Sequence, residues 1–361
     1  SGMGQGLAGL YYAYEQAEFP AAITTVTTIF KVGFGVMVLL LGYGFVGLAG
    51  VSILVNIITL VILVISALRR FHLPGPWRLD LVLQRQMIYL SYPLMINHLF
   101  AVIFFQVDVL VLQQLKGDEV VGWYNSAYKY VNALNVIPSF FTFALFPVIS
   151  RQVKHSLDDA RRSFQMAIKI MALISLPLAV IITLTAPVLI GVLGGSAFLP
   201  HGAIALQIVV WSIPIGWLNS VTNYVLIALG QERLQTRAFL IGVGFNLIGN
   251  LLLIPRYSYA AAGVITILSE IVLLYVFNWY LVKRMPGVGW FRLLARPALV
   301  TVVMAVVGVL GSQLHLVVGV ALALAVYPLG LWALRVFGEE EKQIAAAILP
   351  RRMAQVLRLK E

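Results

Sequence analysis

Long apolar runs separated by short polar or Gly/Pro-containing turns recur along almost the whole chain. A helix needs about 20 apolar residues to cross a bilayer, because the hydrocarbon is ~30 Å thick and each residue rises about 1.5 Å. Measured against that ruler, the pattern predicts ten spans, at 21–43, 45–68, 87–115, 122–150, 163–187, 203–229, 236–254, 259–282, 293–312 and 316–335. A closed β-barrel is the other architecture that satisfies every backbone group in lipid, but its alternating pattern is missing. The expected fold class is therefore an all-α integral membrane protein with about ten transmembrane helices.

Composition agrees. Of 361 residues, 61% are hydrophobic and 11% charged, whereas a soluble domain carries about a quarter charged residues. Mean hydropathy is +0.94. That polar fraction is too small to solvate a particle of this size, which excludes a disordered chain, a secreted disulfide scaffold and a nucleic-acid-binding domain. With no cysteine there is no thiolate metal site and no Cys nucleophile.

The net charge of +11 is a topology signal before it is anything else. Loops after even-numbered spans hold Arg69, Arg70, Arg78 and Arg85, then Arg151, Lys154, Arg161 and Arg162, then Arg233 and Arg237. They continue with Lys283, Arg284 and Arg292, followed by six basic residues from Arg335 to Lys360, against only Lys116 and Arg256 after odd-numbered spans. Lys and Arg accumulate in cytoplasmic loops, so the alternation supports the span count and predicts a cytoplasmic C-terminus. The segment after Arg335 reads either as an amphipathic helix at the interface or as a disordered tail.

A weak internal repeat is visible. Gly50 to Asn56 in the second span and Gly263 to Ser269 in the eighth share a small-then-aliphatic order, and both spans end in a basic pair. Each preceding span carries Gly-x-Gly, at Gly33/Gly35 and Gly242/Gly244. Spans three to eight then form one six-helix unit, and spans one and two the end of another whose first four helices lie upstream. The expected organisation is residues 1–86 as the remnant of an N-terminal lobe, 87–284 as a six-helix lobe, 285–336 as an appended helix pair and 337–361 as a cytoplasmic tail. Duplicated lobes flanking a cleft are the architecture of alternating-access transporters.

Ionisable residues inside spans are expensive and mark cavities or pairs. Asp108 in span three and Lys129 in span four each lie seven positions from the intervening turn, at matched depth, so they form either an ion pair or part of a substrate cleft. Lys31 either snorkels to the interface or lines a cavity. Glu270 has no cation at its depth and is expected either to be protonated or to bond Asn246 or Asn250. Amides recur at helical spacing (Asn97 with His98, Asn132 with Asn135, Asn219 with Asn223), as interhelical hydrogen bonds or as a wall for sugar hydroxyls. Prolines including Pro138, Pro147, Pro177, Pro187 and Pro214 are expected to bend or break helices. No catalytic constellation, P-loop or metal-ligand motif is present, so neither enzymatic chemistry nor a cofactor is expected.

The run Asp108 to Leu112, then Val121-Gly122-Trp123-Tyr124-Asn125-Ser126-Ala127-Tyr128-Lys129, Ile137-Pro138 and Phe146 to Ser150 resembles the polysaccharide transporter family. So does Asn246 to Pro255, followed by Ala262-Gly263 and Leu268-Ser269-Glu270. These are lipid-linked oligosaccharide flippases of the multidrug/oligosaccharidyl-lipid/polysaccharide exporter superfamily. The resemblance implies a pseudo-symmetric, MATE-like two-lobe bundle, here lacking most of the first four helices. It also implies a cavity for an undecaprenyl-pyrophosphate-linked oligosaccharide, with Lys129 and Asp108 matching the family's lysine and aspartate. The expected transport residues are Lys129, Asp108, Lys31, Asn97, His98, Asn132 and Glu270. The expected setting is the inner membrane, with membrane lipids and glycan polymerases or ligases as partners. The alternatives are a cation-coupled multidrug exporter, a membrane glycan polymerase or acyltransferase, and a non-transporting scaffold.

Overall fold

In hydrocarbon no water is available to backbone N–H and C=O groups, so apolar runs of this length satisfy themselves as helices. The computed structural model describes residues 2–14, 16, 18–71 and 80–336, and among these it contains helices and no strand. The order is α1 (Gly2–Ala13), α2 (Glu18–Leu40), α3 (Gly44–Arg70), α4 (Leu81–Lys116), α5 (Asp118–Leu134) and α6 (Val136–His155). Then follow α7 (Leu157–Gly194), a single 3-10 turn, α8 (His201–Val209), α9 (Ser212–Ala228), α10 (Glu232–Arg284), α11 (Trp290–Ser312) and α12 (Leu316–Ala333). Nine of the helical segments described are long and apolar enough to cross a membrane. The chain is a multi-pass membrane protein. The tail 337–361 lies outside the described residues.

The nine segments accommodate the ten predicted spans because α10 holds two. Ser258 takes φ 54° and ψ −141°, and the chain reverses there. The rings of Phe239 and Phe277 sit 5.9 Å apart, and a Cβ built on Gly249 would lie 2.7 Å from Ile265 Cδ1, so the two halves run back along each other. Two other predicted spans are jointed. Span 122–150 is α5 and α6, divided at Asn135, and span 203–229 is α8 and α9, divided at Val210 and Trp211. Each joint lies four residues before or next to a proline's missing N–H: Pro138 cannot bond the carbonyl of Leu134, nor Pro214 that of Val210. Pro147, Pro177 and Pro187, by contrast, are carried inside α6 and α7 without a break.

The chain divides into two compact units, Ser1–Gln84 and Arg85–Glu361. In the first, α1 packs on α3 through fully buried Tyr11, whose ring meets Phe71 at 5.1 Å beside Leu63 and Ala67. The Arg70 guanidinium lies 3.4 Å from the centroid of the Phe19 ring.

The second unit is built around α7, which buries Phe164, Ile168, Met171 and Ile190 against Leu206 of α8 and Trp217 of α9. Ser156 caps α7 by accepting from Asp159 N at 3.2 Å, and Asp158 and Asp159 complement the positive end of the helix. The pair α11 and α12 covers another face of α7 through Val300, Met304, Ala323 and Leu331, and Tyr327 donates to the Leu173 carbonyl at 2.9 Å. These two helices approach closely because their contact is made of glycine: a Cβ on Gly319 would lie 2.6 Å from Gly308 O and 2.9 Å from Ser312 Cα.

That contact is directly testable. Gly319→Leu forces backbone apart and is expected to destabilise the protein by at least about 1–3 kcal/mol, seen as a lowered thermal midpoint in detergent. Gly33→Leu, where an added Cβ meets nothing within 4 Å, is expected to leave the midpoint unchanged.

Candidate functional site

A carboxylate buried in lipid-spanning structure has to gather donors from the protein, because no solvent supplies them. Asp108, on α4, is 1% exposed. Its Oδ2 accepts from Tyr124 Oη at 2.7 Å and Tyr128 Oη at 3.0 Å, and Oδ1 accepts from the Val109 amide at 2.8 Å. Thr266 Oγ1, from the second half of α10, lies 3.3 Å from Oδ2 and from both tyrosine hydroxyls. Tyr124 and Tyr128 are one turn apart on α5 and so present to the same neighbour. The cluster ties α4, α5 and α10 together.

The sequence expectation of an Asp108–Lys129 ion pair is overturned. The depths match, but Lys129 follows Tyr128 in α5 and is rotated by about 100° from it. Its side chain is exposed, and the Asp108 carboxylate is taken up by Tyr124, Tyr128, Thr266 and the Val109 amide instead. The expected partner of Glu270 is corrected too. Asn250 Nδ2 donates to Asn246 Oδ1 at 2.6 Å, so the Asn246 oxygen is taken by its neighbour and not by Glu270. Glu270, 5% exposed, turns instead to α9, where Asn219 Nδ2 donates to Glu270 Oε2 at 2.6 Å and to its carbonyl at 2.8 Å.

Glu270 stands in the wall of two cavities within the second unit. The first, of about 350 Å³, is lined by His98, Asn219, Ser220, Asn223 and Gln235, with Phe105, Phe239 and Phe277 supplying apolar surface. The second, of about 250 Å³, is lined by Gln106, Tyr128, Asn132, Asn135 and Thr266. Phe105, Gly216 and Glu270 belong to both. A Cβ on Gly216 would lie 3.4 Å from Glu270 Oε1, so glycine leaves room for the carboxylate. Asn135, at the joint between α5 and α6, accepts from Trp217 Nε1 at 3.1 Å.

Of the residues singled out from the sequence, His98, Asn132 and Glu270 therefore line two adjacent cavities with a shared wall, and Asp108 lies behind one of them through Tyr128 and Thr266. Lys129 lies on the exposed side of α5. Lys31 is half-buried on α2 in the first unit, where a cavity of about 770 Å³ between α1, α2 and α3 is lined by Gln5, Thr24, Asn56 and Thr59 among others. The Asn97 side chain lies outside the described residues. Sequence reasoning missed Tyr124, Tyr128 and Thr266 as partners of the aspartate. The signal available was two tyrosines at i, i+4 in the span facing it. Among the described residues no three His, Asp or Glu side chains converge as a metal site.

Comparison with known proteins gives two family matches. The family described as "Polysaccharide biosynthesis protein" matches residues 3–153, and the family MatE matches residues 93–252. A membrane protein of Methanocaldococcus jannaschii, itself described as uncharacterized, is 28% identical over 195 residues, covering 52% of this chain and 38% of that protein. The chain thus spans well under half the length of that relative. Among solved structures, the lipid II flippase MurJ in an inward closed conformation superposes with a TM-score of 0.74 at 13% identity, over 91% of this chain and 70% of that one. A MATE structure in complex with MaL6 superposes with a TM-score of 0.55 at 15% identity, over 79% of this chain and 67% of that one. At such identities the likeness is one of fold.

The two corrections separate in a stability measurement. Tyr124→Phe removes a donor from a buried carboxylate and is expected to cost about 1–3 kcal/mol. Lys129→Gln, which breaks no pair, is expected to shift stability by less than about 0.5 kcal/mol. Thermal unfolding of the purified protein reads both.

Proposed function

We propose that this chain belongs to the multidrug/oligosaccharidyl-lipid/polysaccharide exporter superfamily and is a carrier rather than an enzyme. Its cargo in this reading is a lipid-linked oligosaccharide, undecaprenyl-pyrophosphate-borne, moved across the inner membrane for O-antigen, capsule or exopolysaccharide assembly. The observation that carries the reading is the polysaccharide biosynthesis match over residues 3–153, on a chain whose second unit holds polar cavities inside apolar helices.

The physical task fits those features. A sugar head group leaving water needs replacement hydrogen bonds throughout its passage, while its polyisoprenoid tail is at home in lipid. Amide, hydroxyl and carboxylate groups around the cavities of the second unit offer such bonds. Pyrophosphate needs positive charge, which in this reading Lys129, exposed on α5, supplies in the second unit and Lys31, half-buried on α2, in the first. Alternating access supplies the motion in this mechanism, and the basic helix ends face the cytoplasm under the positive-inside rule. Polymerases or ligases that consume the flipped glycan are the partners this role calls for.

A second reading is favoured by one specific feature. Glu270 together with Phe105, Phe239 and Phe277 makes the first cavity acidic and aromatic, which suits an organic cation and hence drug export.

Expression in a strain lacking its own flippase tests both. Surface glycan is expected to return with the wild-type chain and to fall by at least about tenfold, the equivalent of about 1.4 kcal/mol, with Lys129→Ala or Lys129→Glu at equal membrane abundance. Unchanged export removes Lys129 from the mechanism. Raised resistance to cationic drugs with no surface glycan selects the second reading.

A further inference from the structure

The wall where the two cavities of the second unit meet is short of hydrogen-bond donors. Of the two Glu270 carboxylate oxygens, Oε2 accepts a hydrogen bond from Asn219 Nδ2 at 2.6 Å. The same amide nitrogen also donates to the Glu270 carbonyl, so both its protons are used within the protein. Asn219 Oδ1 is then left without a partner, although the residue is only 4% exposed. One turn further along α9, Asn223 Oδ1 is likewise buried and unpartnered. Buried acceptors are nearly always satisfied, and a wall with this excess is completed by something that brings donors.

Size and surroundings select among donors. A bare monovalent cation needs a tight shell of oxygens, and a space of about 350 Å³ with Phe105 and Phe239 in its walls is too wide and too apolar for one. A polyol ring fits both features. Its hydroxyls donate to carboxylate and amide oxygens, its C–H face lies against aromatic carbon, and the buried amide of Gln235 can serve as donor or acceptor to it. No Lys or Arg is among the described residues lining this cavity, so it offers phosphate no counter-charge.

We propose that Glu270, Asn219 and Asn223 form a subsite for a single pyranose ring of the head group, with Phe105 and Phe239 covering its apolar face. The subsite rests on the glycan reading given above and adds to it a polarity: the sugar enters the acidic cavity while the pyrophosphate is held elsewhere, at lysine.

Saturation-transfer NMR on the full chain in a sugar-free amphipol tests this, with methyl glucoside, methyl galactoside and methyl N-acetylglucosaminide as probes and inorganic pyrophosphate as competitor. Transfer to the ring protons of at least one pyranoside is expected, undiminished by pyrophosphate. Glu270→Gln and Asn223→Ala are each expected to weaken it by at least about tenfold, the size of a lost hydrogen bond to a charged or buried group. Asn223→Ala removes an oxygen that bonds nothing in the protein, so it leaves the fold intact should Glu270→Gln not. Absence of transfer to all three pyranosides, or transfer in both variants undiminished from the wild type, overturns the subsite, as does displacement by pyrophosphate. The assay involves neither lipid carrier nor transport. A chain that binds pyranosides without restoring surface glycan refutes the transport reading alone, and one that restores it without binding them refutes the subsite alone.

Discussion

Hydrocarbon offers no hydrogen bonds, and the arrangement of the second unit follows from that constraint. A polar side chain placed in a span has to find its partner on another helix, or its desolvation stands uncompensated. Asp108 is the clearest instance. Its carboxylate draws in two tyrosines of α5 and a threonine of α10, and so fixes the rotation of three helices about their own axes. Neutral hydroxyl donors accomplish this without importing a second charge, whose own desolvation a buried ion pair would have to offset.

The same constraint explains where the helices are interrupted. Pro138 and Pro214 each deprive a carbonyl near the middle of a span of its i+4 donor, and both joints lie beside the second cavity, at Asn135 and Ser212. Irregular backbone at membrane depth is tolerated where it borders protein or a polar hollow. Around Glu270 the satisfaction is incomplete: the carboxylate has one amide donor, and carbonyl oxygens on two successive turns of α9 have none. Ser150, Gln152, Ser175, Asn250 and Ser269 also carry buried side-chain atoms without a partner, but Asn219 and Asn223 line the first cavity beside Glu270. A wall left open in this way is where a polar cargo would make its contacts. Apolar and small-residue packing holds the rest, from the aromatic cluster at Tyr11 in the first unit to the glycine contact between α11 and α12.

Much of the fold was legible because hydropathy is a local property. The spans emerged from apolar runs alone, the turn at Ser258 fell between two of them, and the proline positions marked the two joints. The lack of a break at Pro147, Pro177 and Pro187 was not legible, since a proline's effect depends on whether neighbouring helices hold the bend. Placing Asp108 and Lys129 at equal depth was sound arithmetic on helical rise, but the same arithmetic says nothing of azimuth. One position along α5 separates Tyr128, bonded to the aspartate, from Lys129, which is exposed. The polar positions around the cavities, Asn132, Asn219, Asn223 and Glu270, stood out as amides and charge in apolar runs, while their pairing did not.

Read alone, then, the chain shows that it lies in a membrane, where its long apolar segments run, and which ends of them carry the basic residues. Each of these is a sum over neighbouring residues weighed against a solvent of known thickness. Only the tertiary structure decided that Asp108 is held by tyrosines rather than by lysine and that Glu270 turns to α9. The partners of Asp108 stand 16, 20 and 158 positions away, and that of Glu270 stands 51. Helix rotation and packing bring such pairs together, and neither is written in any local stretch of the chain.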